Sequence, residues 1–239
     1  MARAPAEQRE HRRDRRARRA RSIEAASVAG LAYAVLNTAA FVRLSRYPSL
    51  SLSDEELTAW FDDTGNQSWL IGALSIASVA SFAFLWFVAV FRRRIGDRED
   101  KFFATVFLGS GLVYVTVWLT GFAALAAPAV AMVQLDAAAA TPGSVSLAGG
   151  IGGSLLLVVA PRIQAVFIFT TSTVIMRSRV LPTWLAIVGY VSGLALFLIP
   201  MITEPAGYLF PAWVLIVSVV LLVDRPQDLM IDEPADTAD

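Results

Sequence analysis

Residues 69–91, WLIGALSIASVASFAFLWFVAVF, carry no charged side chain, and three arginines follow at once. A helix needs about 20 mostly apolar residues to cross a bilayer, and few soluble structures use an uncharged run of that length. Comparable runs lie at 23–44, at 102–125, within 151–176, at 183–203 and at 208–223, the last short and closed by Asp224. Charged residues make up 17% of the chain, against about 25% in soluble domains, and they cluster between the runs. The expected fold is therefore all-α: a polytopic membrane helix bundle with six transmembrane helices over 23–223. A disordered basic tail (1–22) and a disordered acidic tail (224–239) flank it.

Charge also fixes an expected orientation. With the N-terminus inside, the cytoplasmic side receives nine Arg of the first 22 residues, then Arg92, Arg93, Arg94, Arg98 and Lys101, then Arg177, Arg179 and Arg225. That is 17 of the 20 Lys and Arg, with Arg43 and Arg46 outside and Arg162 undecided. Six spans with both termini cytoplasmic satisfy the positive-inside rule at every loop. The first tail, EHRRDRRARRARS, is then a topology signal that can also touch anionic headgroups. A nucleic-acid arm is the sharper alternative, since clustered Arg neutralises phosphates. No aromatic residue interleaves the arginines and no recognition fold follows, so no specific nucleic acid is expected. A cleaved signal peptide would have a shorter apolar core.

The side-chain inventory bears on chemistry. There is no Cys, and the one His, His11, lies in the tail. Disulfides, thiolate chemistry, histidine triads and Cys/His zinc sites are excluded. No G-x-S-x-G motif or intramembrane Asp pair occurs, so neither an enzyme nor a metal or cofactor is expected. The string GGIGG at 149–153 lacks both the Lys-Ser/Thr of a phosphate loop and the spacing of a dinucleotide fingerprint, which leaves packing or flexibility as its role.

Between the first two runs, SLSDEELTAWFDDTGN opens with an S-x-x-E capping box at Ser53 and Glu56. Leu57, Trp60 and Phe61 share one helical face, and Gly65 suits the stop. This is a short outer amphipathic helix, expected on the membrane surface with Trp60 at headgroup depth. Its five acids are a solvated face rather than a cation site. The segment 128–160 is less definite: small, weakly polar and glycine-rich.

Small residues at four-residue spacing mark close helix contacts in lipid. Ala26, Gly30 and Ala34 form one stripe, Ala73, Ala77 and Ser81 a second, and Gly189 with Gly193 a third. Internal packing is the simpler use of each. The aromatic string FAFLWF (82–87) suits an interface anchor.

Two places remain as candidate sites. Arg162 and Gln164 stand out in an apolar stretch, and a charge at mid-membrane costs at least about 2.5–3.5 kcal/mol. Either Pro161 opens the fourth span, so that Arg162 snorkels at its outer boundary and 144–160 forms a re-entrant or surface helix, or Arg162 is buried. In the second case its partners are carbonyls freed by Pro161, Gln164, Tyr114, Asn37 or a bound anion. The second place is the loop after span two, where Arg92, Asp97, Arg98, Glu99 and Asp100 alternate in sign. It is either a salt-bridged helix end or a docking site for a cytoplasmic partner.

Four strings together, AWFDDTGN, FLWFVAVFRRRIGDREDKFFATVFLGSGL, PRIQAVFIFTTSTVIMRSRVLPTWLAIVGY and LFPAWVLIVSVVLLV, resemble a family of uncharacterised actinobacterial integral membrane proteins. The resemblance covers about residues 57–223. It implies a plasma-membrane location and an arginine at the position of Arg162, but supplies no activity. The expected function is a non-enzymatic accessory or scaffolding subunit of a membrane complex, its partners membrane lipids and another membrane protein. The alternative is a carrier or channel for a small anionic or lipid-like substrate, using Arg162.

Overall fold

The uncharged runs fold into helices. The computed structural model describes residues 27–95, 101–135, 140–178, 181–198 and 207–223. Helix α1 covers Ser27–Leu44, α2 Asp54–Asp62, α3 Thr64–Ile95 and α4 Lys101–Gln134. Then come α5 (Pro142–Gly153), a π-helical turn (Ser154–Val159), α6 (Ala160–Ser178), α7 (Thr183–Leu198) and α8 (Leu209–Val223). No strand occurs among the described residues. Both tails, 1–22 and 224–239, lie outside them, as do Asp97, Arg98, Glu99 and Asp100 of the candidate docking loop.

Four helical stretches are long and apolar enough to cross a membrane: Ser27–Leu44, Thr64–Arg92, Phe102–Gln134 and Pro142–Ser178. Helices α7 and α8 are apolar but shorter, with 16 and 15 residues. Close contacts set the packing. A Cβ on Gly30 would overlap the Ser218 hydroxyl and come within 2.8 Å of Phe87, so α1 rests directly on α3 and α8. Gly189 sits against Ser172 and Trp213, and Gly193 against Phe169, which seats α7 on α6. Ala73, Ala77 and Ser81 are buried as well. All three stripes are thus internal, apart from Ala26, which lies outside the described residues.

Helix α2 starts as its sequence dictates. The Ser53 and Glu56 side chains exchange hydrogen bonds with each other's backbone N–H. It does not use its apolar face on a membrane surface. Leu57 and Phe61 are buried against Leu70, Ala126, Ala129 and Val145, so α2 caps the ends of α3, α4 and α5. Gly65 is not its stop either. The Asp63 carboxylate accepts from the Gly65 and Asn66 N–H groups, at 2.6 and 3.2 Å, and so caps the start of α3. At the same corner Trp69 donates to the Arg43 carbonyl at 2.9 Å, while the Arg43 and Arg46 guanidinium groups lie 4.2 and 4.1 Å from its ring.

The segment 128–160 differs from the expectation of a re-entrant or surface helix over 144–160. Helix α4 runs through Pro128 to Gln134. Residues 142–178 form one uninterrupted 37-residue helix, neither re-entrant nor a separate surface element. The join is the π turn. Pro161 has no N–H to donate, and in an α-helix its ring would strike the carbonyl four residues back. Widening the preceding turn relieves this: the Ala160 N–H reaches Leu155, five residues away. One extra residue per turn rotates everything upstream by about 100°. Continued at 3.6 residues per turn from the buried Gln164 and Ile168, the inward face would reach Gly153 and Gly150. In the structure Gly152, Gly149 and Val145 are buried instead, while Gly150 and Gly153 have open space where a Cβ would go.

Candidate functional site

Arg162 and Gln164 do not form one site. Two positions on a helix are about 200° apart, so they point to opposite sides. Gln164 faces inward and is buried. It stands against the Tyr114 hydroxyl, which donates to Asn37 Oδ1 at 3.3 Å and lies 2.8 Å from the Tyr33 hydroxyl. With the Tyr114 proton directed at Asn37, Tyr33 donates to Tyr114. This neutral network links α1, α4 and α6 at the centre of the bundle. Asn37 Nδ2 and the nearby Trp118 Nε1 have no partner among the described residues.

Aromatic rings enclose the network. Ring centroids follow one another from Phe91 to Phe107 (5.6 Å), Phe167 (4.8 Å), Phe84 (5.2 Å) and Tyr114 (5.2 Å). From Tyr114 the contacts continue to Trp118 (5.8 Å) and Phe122 (4.9 Å). All fall in the range of favourable aromatic pairs, about 4.5–7 Å. The column runs along the bundle axis. The string FAFLWF splits across it, with Phe84 and Phe87 fully buried in the core and Phe82 and Trp86 exposed at 70% and 65%.

Arg162 faces the other way. It is half-buried at the surface of the bundle, and its Nη1 donates to the Val158 carbonyl in the π turn. This is a backbone carbonyl, but that of Val158 rather than one freed by the missing Pro161 N–H; Gln164, Tyr114 and Asn37 lie inside. Arg162 lines a groove of 470 Å³ between α4 and α6, together with Gly109, Val113, Ile163, Val166 and Phe197 of α7. The described carboxylates, Asp54, Glu55, Glu56, Asp62 and Asp63, all belong to α2 and its flanks. A second cavity of 320 Å³ lies near the α2 end of the bundle, between Phe41, Tyr47, Leu125, Gly149, Leu156 and Tyr208. Burial pushes the Tyr47 hydroxyl there up to about 12. Sequence reasoning missed this cavity, because its walls are ordinary apolar residues brought together from four segments.

Arg92 is exposed at the far end of α3. No group of three or more His, Cys, Asp or Glu that could hold a metal ion occurs among the described residues. The features define a helical membrane protein: a bundle with four membrane-length apolar helices, an aromatic axis and one cation in a surface groove. Comparison with protein-family models, with curated proteins and with solved structures finds no match.

Proposed function

We propose that this chain is a six-span plasma-membrane protein with both termini cytoplasmic, acting as a non-enzymatic accessory or scaffolding subunit of a membrane complex. The observation that carries the reading is the aromatic column. A carrier keeps a substrate site near the bilayer midplane, lined by discontinuous helices that rock around it. Here that volume is filled by Phe84, Phe107, Phe167 and Tyr114, all fully buried, around a neutral network. Such a bundle presents its outside to partners. The carrier alternative needs Arg162 in the interior, whereas Arg162 lines an outer groove. Six spans are supported by α7 and α8 standing beside α6 and α1. At about 1.5 Å per residue they measure ~24 and ~22 Å, a mismatch with a ~30 Å core that bilayers absorb by thinning. The resemblance to actinobacterial membrane proteins and the distribution of bases support the location and orientation.

Two measurements test the reading. Single cysteines at Ser51, Thr141 and Thr237, in a chain with no native thiol, should react with an impermeant reagent on whole cells at the first two positions only. Proteoliposomes holding the purified protein should take up small carboxylates and phosphates no faster than empty vesicles. Labelling at Thr237 would overturn the topology, and uptake abolished by Arg162→Lys would overturn the scaffold in favour of the carrier.

A further inference from the structure

We propose that the groove between α4 and α6 is a binding site for one anionic phospholipid, its phosphate on Arg162 and one acyl chain along Gly109 and Val113. The inference rests on the membrane-spanning reading above. A guanidinium has five N–H donors. The contact with the Val158 carbonyl engages one nitrogen, and no described carboxylate lies outside the α2 region. A cation held in an apolar setting without a counter-charge is costly, and a phosphate is the anion that a planar, bidentate fork matches best.

Depth and shape agree with this occupant. Helical side chains lean toward the N-terminus of their helix, so Arg162 reaches toward the α2 end, as its bond to Val158 shows. The 15 residues from Arg162 to Arg177 correspond to ~22 Å at about 1.5 Å each. If Arg177 marks one edge of a ~30 Å hydrocarbon layer, Arg162 is ~8 Å inside the other edge, within reach of the headgroups there. In the proposed orientation this is the outer leaflet. The groove below the guanidinium is apolar, and its 470 Å³ is in the range of small-molecule sites, about 300–1,000 Å³. A Cβ on Gly109 would meet nothing within 4 Å, so the trough is open. The other conceivable occupant is a partner's helix bearing a carboxylate. Such a helix docks on a flat stripe of small residues, and the stripes at Gly30, Ala73 and Gly189 are already used inside the bundle.

The test is native mass spectrometry of the purified full chain in micelles holding equal amounts of phosphatidylglycerol and phosphatidylcholine with identical acyl chains. The wild type should retain one phosphatidylglycerol. Arg162→Gln should weaken retention about tenfold, since charge-assisted hydrogen bonds are lost, with Arg162→Lys between the two. Gly109→Leu keeps the charge, fits the open space and favours the helix, yet should also expel the lipid. Millimolar inorganic phosphate should not displace it, because the acyl chain contributes. Equal retention of the two lipids, or unchanged retention in Arg162→Gln, would overturn the proposal. So would an Arg162-dependent loss of a stoichiometric membrane protein with lipid retention unchanged, which would assign the groove to a partner helix. Thiol labelling at Ser51 in each variant reports topology separately, so a wrong span reading shows there and a wrong lipid assignment only in the mass spectrum.

Discussion

Gly152 and Gly153 are neighbours in the same helix, and alanine should have opposite effects on them. A Cβ on Gly152 would lie 2.5 Å from Leu125 Cγ and 2.9 Å from the Gly121 carbonyl oxygen on α4. Leu125 can change rotamer, at a cost of about 0.5–1.5 kcal/mol. The carbonyl cannot move unless α4 moves, and overpacking of this kind costs about 1–3 kcal/mol. Alanine regains about 1 kcal/mol of helix propensity. Gly152→Ala should therefore destabilise by ~1–2 kcal/mol, with the overpacking term outweighing propensity. At Gly153 a Cβ meets nothing within 4 Å, so only propensity acts and alanine should stabilise by ~0.5–1 kcal/mol. The two variants should differ by ~2 kcal/mol, which for a chain of this size is a separation of roughly 4–8 °C in Tm. Thermal unfolding of both proteins in one mild detergent, followed by loss of the monodisperse species, measures it. Equal midpoints, or Gly152→Ala the more stable, would refute both the α4–α5 contact and the register set by the π turn.

Four further outcomes follow from local structure. Deleting Leu157, which is exposed within the π turn, should keep the fold, because an i→i−5 turn becomes an α turn and both flanking faces stay inward, but at a cost of about 3 kcal/mol, because the Pro161 ring then meets the carbonyl four residues back. Deleting Val166, equally exposed but in regular α6, should abolish the monodisperse species by rotating one half of the helix about 100°. The Ser53 backbone and hydroxyl, donating to the Glu56 carboxylate, hold its pKa below the usual glutamate value. A depressed pKa stabilises α2 above the unfolded value of about 4.3, and that contribution is lost as pH falls through the folded value. Hydrogen exchange of the α2 amides, corrected for intrinsic rates, should accelerate below that pH in the wild type and show no such step in Glu56→Gln. Ser53→Ala should cost α2 about 1 kcal/mol at neutral pH.

What could be read from the chain depended on whether two environments differed chemically. Ser53 and Glu56 announced the start of α2, since capping is a local contract between four residues. The long apolar runs announced the helices, because charge and length separate lipid from water. Which face of each helix turns inward was much harder to see, since lipid and bundle interior are equally apolar. Thus Phe84 and Phe87 went to the core while Phe82 and Trp86 stayed outside, although the string reads as one aromatic cluster. Leu57 and Phe61 read as one face, but the pattern does not say that the ends of α3, α4 and α5 cover it. Pro161 reads in the sequence as a perturbation, either the start of a span or a break that frees carbonyls inside one. A π turn solves the same steric problem without breaking the helix, and no sequence pattern distinguishes the two.

That turn also governs where polarity goes. Because α6 stays helical through Pro161, Arg162 and Gln164 must diverge, and the chain separates a charge from a neutral amide. The amide goes inside, where Tyr33, Tyr114 and Asn37 bond to one another, a cost in desolvation that hydrogen bonding offsets and that fixes how α1 meets α4. The guanidinium goes outside, to the Val158 carbonyl and the groove between α4 and α6. A reversed placement would bury an unpaired cation among Phe84, Phe167 and Phe210, with no described carboxylate in the bundle to balance it. The described interior is therefore neutral and aromatic, and Arg162, the one charge of the long helix Pro142–Ser178 away from its last turn, faces the surroundings. On the scaffold reading proposed above such a bundle works through its outer surface; lipid retention at Arg162 tests the occupant of the groove, and uptake into proteoliposomes separates scaffold from carrier.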